Sequence, residues 1–317
     1  MYLVDFFKRT MRKSNIPVFI YLVLNIFVIA LILSLVIDNG NIPFWKALLI
    51  GIVLYFVSLL IALSPVGEWI LRLQTGCKKI QNDEQRNFIE PIFREVYDKA
   101  RAQDPSISDS VKLYMNHDEA PNAFATGRKT ICVTEGMLSM PVEQIKATLG
   151  HEFGHLAHKD TDLILVVAVG NLIVSAFILL FRLAIDLVHL LFVFSSVFVG
   201  GSDGAFGALI STVYHLAMTA VVVGLTWIWT KIGVLLVMKS SRANEYEADE
   251  FSFRLGYGNE LCALLDSFSG TNANGLFANL VSSHPDKDDR IARLQELGAT
   301  YRGQTKLARN IDIFLAF

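Results

Sequence analysis

Four stretches of this chain hold almost no residue that water would solvate, and any fold it adopts must shelter them. They run from Ile16 to Ile37, from Phe44 to Leu63, from Asp162 to Gly200 and from Ala208 to Met238. A helix crosses a bilayer with about 20 predominantly apolar residues, and each stretch is that long. The chain is 53% hydrophobic and 18% charged, and these runs account for the excess over an ordinary soluble domain. A secretory signal peptide competes for the first run, but the run is too long and Ser34–Gly40 is a poor cleavage site. With a net charge of −2 there is no basic footprint for nucleic acid, and none is expected as a partner. Cys77, Cys132 and Cys262 are odd in number and far apart, so reduced, buried thiols are expected.

Lys and Arg placement orients the runs. Lys8, Arg9, Arg12 and Lys13 precede the first run, and Arg72, Lys78, Lys79 and Arg86 follow the second. Lys231, Lys239 and Arg242 mark the end of the last, while the links at 38–43 and 200–204 carry no Lys or Arg. The expected organisation is an N-terminal cytoplasmic segment (1–15), two membrane helices (16–63) and a cytoplasmic part (64–162). Two long membrane helices (163–238) and a second cytoplasmic part (239–317) follow. Asp162–Gly200 would measure about 57 Å as straight helix, nearly twice a bilayer core of about 30 Å. It must project beyond the bilayer or contain a re-entrant turn. Arg182, Asp186 and His189 interrupt it at helical spacing, either as an interfacial pair or as a buried polar site.

Within 64–162, Phe88, Ile92, Val96 and Ala100 recur as one helical face, and Pro141–His158 reads as another helix. Val111–Met115 and Thr130–Thr134 read as strands, with Pro121–Gly127 as a short extended segment between turn formers. The chemistry gathers at His151-Glu152-Phe153-Gly154-His155. Residues four apart share a helical face, so both imidazoles can grip one metal ion, and Glu152 lies beside them to accept a proton from water. A catalytic metal needs a third ligand. His158 is one candidate, but the glycine turn and wider spacing of a third-histidine motif are absent. Glu245 is the better one. It shares a face with Asp249, which could hold the free ring N–H of a ligand histidine, and small Ala248 would let the two helices approach. A solvated acidic face including Glu247 and Glu250 is the plain alternative.

HEFGH at 151–155, SRANEYEAD at 241–249, PNAFATG at 121–127 and SSHPDKDDRI at 282–291 together carry a resemblance. The chain resembles the HtpX-type integral-membrane metalloproteases, relatives of the CAAX prenyl-protease peptidases within the gluzincins. The order of spans matches as well: two before the HEFGH helix and two between it and EYEAD. The resemblance implies a membrane α-helical protein of about four transmembrane helices. It would carry a mainly α (α+β) gluzincin-type protease domain and a small sheet with an exposed edge strand. It implies one zinc per chain on His151, His155 and Glu245, Glu152 as general base, and Asp249 behind the ligands. It also implies a role in protein quality control and stress response. Substrates would be unfolded or damaged proteins, and the enzyme would sit in the inner (cytoplasmic) membrane with its active site inside. The spans agree independently, because His155 and Glu245 can meet at one ion only if an even number of crossings separates them.

Two further elements belong to the resemblance. The family places an HP…R element near the zinc, here His284-Pro285 and Arg290. His284 could serve as oxyanion donor, resting fourth ligand or helix-capping residue, and Arg290 could be a salt-bridge partner. The family's NAF segment runs beside the zinc, so Asn122, Ala123, Phe124 and Ala125 are expected to bind substrate backbone as an edge strand. There Ala123 and Ala125 would leave room for substrate side chains. The competing classes are a polytopic transporter using Arg182, Asp186 and His189, and an inactive membrane scaffold with a zinc-binding domain.

Overall fold

The computed structural model describes residues 15–38, 43–267 and 287–302. Its helices are α1 (Ile16–Asp38), α2 (Phe44–Ala62), α3 (Pro65–Gln74), α4 (Asp83–Gln103), α5 (Val142–His158), α6 (Asp160–Ser252), α7 (Gly258–Ser267) and α8 (Lys287–Glu296). Three strands, β1 (Lys112–Asn116), β2 (Ala123–Thr126) and β3 (Thr130–Thr134), form one sheet in the order β1-β3-β2. Two compact units result, one of 17–67 with 165–236, the other of 68–164 with the chain beyond 236.

In the second of these units, Asn82 caps α4 by accepting from the backbone N–H groups of Glu84 and Gln85. The helix then buries Ile89, Ile92, Phe93, Val96 and Ala100. Phe88, expected on that face, is instead exposed, and Ile89 takes its place. The buried face thus follows i, i+3, i+4, i+7 rather than a strict fourth-residue repeat. Pro91, inside this helix, lies on its exposed side. Every residue of β3 is buried, as a β-branched strand flanked on both edges should be. β1 runs parallel to it and β2 antiparallel. A bridge from Lys78 to Met115 covers part of the outer edge of β1, whereas β2 has no further strand partner among the described residues. Ile145, Leu149 and Phe153 of α5 join Ile131, Val133, Phe93, Leu261 and Leu294 in one core. All three cysteines are free and buried.

In the other unit, α6 is helical throughout but is not one rod. The 37 residues from Arg182 to Thr219 would span about 55 Å as straight helix. Yet Arg182 Nε donates to Thr219 Oγ1 at 3.1 Å, and Ser211 Oγ lies 2.9 Å from His189 Nε2. The chain therefore doubles back between His189 and Ser211. Residues 200–204, expected as a loop, fall in that interval and keep helical backbone bonding. Arg182 is buried against Asp186 (3.4 Å), and His189 stacks on His215 with ring centroids 4.0 Å apart. Arg182 and Asp186 thus meet between the two limbs of the helix.

Elsewhere in the same unit, a closed ring of hydrogen bonds links four polar side chains. Trp229 Nε1 donates to Asn25, Asn25 to Asn171, Asn171 to the Tyr21 hydroxyl, and that hydroxyl to the Trp229 carbonyl. Outside it, Val53, Phe56, Leu225 and Trp227 are exposed. Phe44–Ala62 and Leu209–Gly233 are long and apolar enough to cross a membrane, and little of either is covered by protein, unlike a core helix.

Candidate metal centre

Two helices cross at their smallest residues to make the site. A Cβ on Gly154 of α5 would stand 2.7 Å from Ala248 Cα of α6, and one on Gly150 would stand 2.9 Å from Ser252 Oγ. Ser252 also donates to the Ala147 carbonyl at 2.9 Å. This close crossing of the helices sets Glu245 over the paired histidines. His151 Nε2 and His155 Nε2 lie 3.2 Å apart, and each is 3.4 Å from an oxygen of Glu245. Donor atoms of His151, Glu152 and His155 all fall within 4.8 Å of one another.

Each of these two histidines has its own carboxylate behind it. His151 Nδ1 lies 2.8 Å from Asp249 Oδ1, and His155 Nδ1 lies 3.2 Å from Asp160 Oδ2. With a carboxylate beside each Nδ1, the proton is favoured there and each Nε2 presents a lone pair to the other. Two acceptors at 3.2 Å repel unless a cation lies between them. Around a tetrahedral ion bound at about 2.0–2.1 Å, neighbouring donors stand about 3.3 Å apart, so these residues fit a metal.

Burial acts to lower the pKa of His151, but the carboxylates of Asp249 and Glu245 outweigh it and hold the imidazole above its ordinary range. The same opposition, with Asp160 and Glu245 winning, raises His155 well above it. Burial acts to raise Asp249, and Arg290 overrides it, keeping that carboxyl below the usual range. Arg290 of α8 is itself buried, donating from Nε and Nη2 to the two Asp249 oxygens at 2.7 and 2.6 Å. Its Nη1 lies 3.5 Å from Glu245 Oε2.

Glu152 accepts the backbone N–H of Ala125 at 2.7 Å. The β2 register explains that hydrogen bond. Phe124 pairs with Cys132, and the Thr134 N–H bonds the Asn122 carbonyl, so the backbone groups of Ala123 and Ala125 point to the free edge. The side chain of Ala123 is buried and that of Ala125 packs on the same core, so neither opens room for substrate side chains. Asn122 is tied by its own N–H to the Thr134 hydroxyl.

His158 turns away, its Nδ1 3.8 Å from Glu247 and its ring edge-on to Phe251. His284 lies outside the described residues. Asp160 is the site residue that sequence reasoning missed. Its signal was faint, an acidic residue opening the next helix, which ordinarily reads as a response to the helix dipole.

The profile of peptidase family M48 matches residues 83–298, which includes every described residue of the site. Protease HtpX of Alcanivorax borkumensis is 28% identical over 76% of this chain and 80% of its own length. Protease HtpX of Shewanella piezotolerans is 28% identical over 76% and 83%. The protease HtpX homolog of Kineococcus radiotolerans is 28% identical over 80% and 88%. No solved structure matches. With two apolar helices able to cross a bilayer and this site beside them in the sequence, the chain belongs to peptidase family M48 and is an HtpX-type membrane metalloprotease.

Proposed function

We propose that the chain is a zinc-dependent endopeptidase that hydrolyses peptide bonds of misfolded or damaged membrane proteins. His151, His155 and Glu245 would hold one zinc per chain, leaving a position open for reaction. When bound, the metal supplies Lewis acidity toward water and the scissile carbonyl. Glu152 takes the proton from the attacking water and returns it to the leaving amine. The free edge of β2 receives extended substrate by main-chain hydrogen bonds, which suits an enzyme that reads little side-chain sequence. We place four crossings in the inner membrane, with both termini and the active site in the cytoplasm. The distribution of Lys and Arg supports that orientation, and the meeting of His155 with Glu245 requires an even number of crossings between them.

The observation that carries this reading is the junction at Glu152. Its carboxylate neighbours two metal-ligand histidines and at the same time accepts an N–H from an open strand edge. A transporter or an inactive scaffold needs neither arrangement. The test is casein cleavage by purified wild-type protein and Glu152→Gln. We expect turnover to fall by about 10²–10⁴ in the variant. Equal cleavage by both would refute the role of Glu152.

A further inference from the structure

Lys159 alone separates α5 from α6. It is the one non-glycine residue with positive φ among those described (φ 62, ψ 29), at a helix end where glycine is the usual choice. The turn it makes aims the next two side chains at two different parts of the site. Asp160, buried, reaches back to His155 Nδ1 at 3.2 Å. Thr161, also buried, donates from its hydroxyl to the Gly127 carbonyl at 2.6 Å. Gly127 opens the β2–β3 turn with φ 63, directly after the edge strand whose Ala125 N–H meets Glu152. The far side of that turn is fixed by Glu68, which accepts the Arg128 N–H at 3.3 Å. One corner therefore touches a metal-ligand histidine through one residue and the substrate edge through the next.

We infer that the Lys159-Asp160-Thr161 corner is a positioning element that sets the height of the substrate strand against the metal. Asp160 fixes the ring of His155, and Thr161 fixes the hairpin carrying Ala123 and Ala125. This rests on the metal site and on the edge-strand reading proposed above, and the two arms of the test separate them. In full-length detergent-solubilised protein, metal affinity is measured by competition with a chromophoric chelator, and KM and kcat with a peptide substrate. Asp160→Asn, nearly isosteric, should weaken metal binding about 10–100-fold, the usual effect of losing a partner behind a ligand histidine. Thr161→Val should leave metal affinity within about twofold and raise KM several-fold with kcat held, and Thr161→Ser should restore KM. β-branched Lys159→Val, which disfavours the left-handed turn, should disturb both quantities together. Should Thr161→Val not fold, Thr161→Ala carries the same comparison. Metal binding by Asp160→Asn within about twofold of wild type overturns the first arm. An unchanged KM in Thr161→Val overturns the second. If Ala123→Pro, folded and metal-bound, also cleaves with unchanged KM, the edge-strand reading has failed; if it raises KM while Thr161→Val does not, only the corner has.

Discussion

Gly154→Ala adds one methyl group where the metal site is most sensitive to it. The new Cβ would lie 2.7 Å from Ala248 Cα and 3.1 Å from both the Ala248 Cβ and its carbonyl oxygen. Carbon atoms rest about 3.5–4.0 Å apart, so α5 and α6 must separate locally by about 1 Å. The nearest atom is backbone, so no rotamer change relieves the clash. Overpacking of this kind costs about 1–3 kcal/mol. The larger consequence is functional. Glu245 sits on α6 and both histidines on α5, now 3.4 Å apart across the crossing. Metal ligand distances tolerate only about 0.2 Å, so a shift of about 1 Å should sharply weaken metal binding. The assay is chelator competition alongside thermal unfolding. The double variant Gly154→Ala with Ala248→Gly removes the methyl group 3.1 Å away but leaves the backbone carbon at 2.7 Å in place, so rescue should be partial at most. Wild-type metal affinity in Gly154→Ala, or full rescue in the double variant, would refute the reasoning.

Arg290→Ala leaves Asp249 buried without its bidentate partner and should cost about 3–5 kcal/mol by thermal or chemical unfolding, with Arg290→Lys recovering only part because an ammonium cannot fork. Because His151 and His155 have pKa values raised above 6.5, their stabilisation of the metal-free protein is complete below about pH 6.5 and is lost as pH rises through the raised values. Chelator-stripped protein should therefore melt higher near pH 6 than near pH 9, while metal affinity falls in the acidic direction as protons compete for the same nitrogens; the reverse order of melting would contradict the ion pairs described. In intact cells, cysteines introduced at Asn39 and Ser202 should label from outside and those at Ser108 and Asn274 should not. Outside labelling at Ser108 would overturn the cytoplasmic placement.

What the sequence disclosed depended on whether a local period was enough. The i, i+4 spacing of His151 with His155, and of Glu245 with Asp249, fixes helical faces without tertiary information, and these four side chains do converge. Arg290 was visible as a salt-bridge candidate, but not that its partners would be Asp249 and Glu245. Asp160 was hidden because its aim depends on left-handed backbone at Lys159, where a lysine gives no warning of positive φ. The turn formers around Asn122–Ala125 suggested an edge strand, with Ala123 and Ala125 expected to leave room for substrate side chains. The alanine side chains turn to the core while their backbone groups face the free edge. Phe88 misled because a fourth-residue repeat drifts around a helix of 3.6 residues per turn, and Ile89 and Phe93 supply the buried face.

The central claim is that His151, His155 and Glu245 together hold one zinc while Glu152 holds none of it. Zinc per chain, measured by elemental analysis on purified and folded protein, tests this directly. One zinc is expected in wild type and in Glu152→Gln, and close to none in His151→Ala, His155→Ala and Glu245→Ala. A full zinc complement in Glu245→Ala, or its loss from folded Glu152→Gln, would contradict the account.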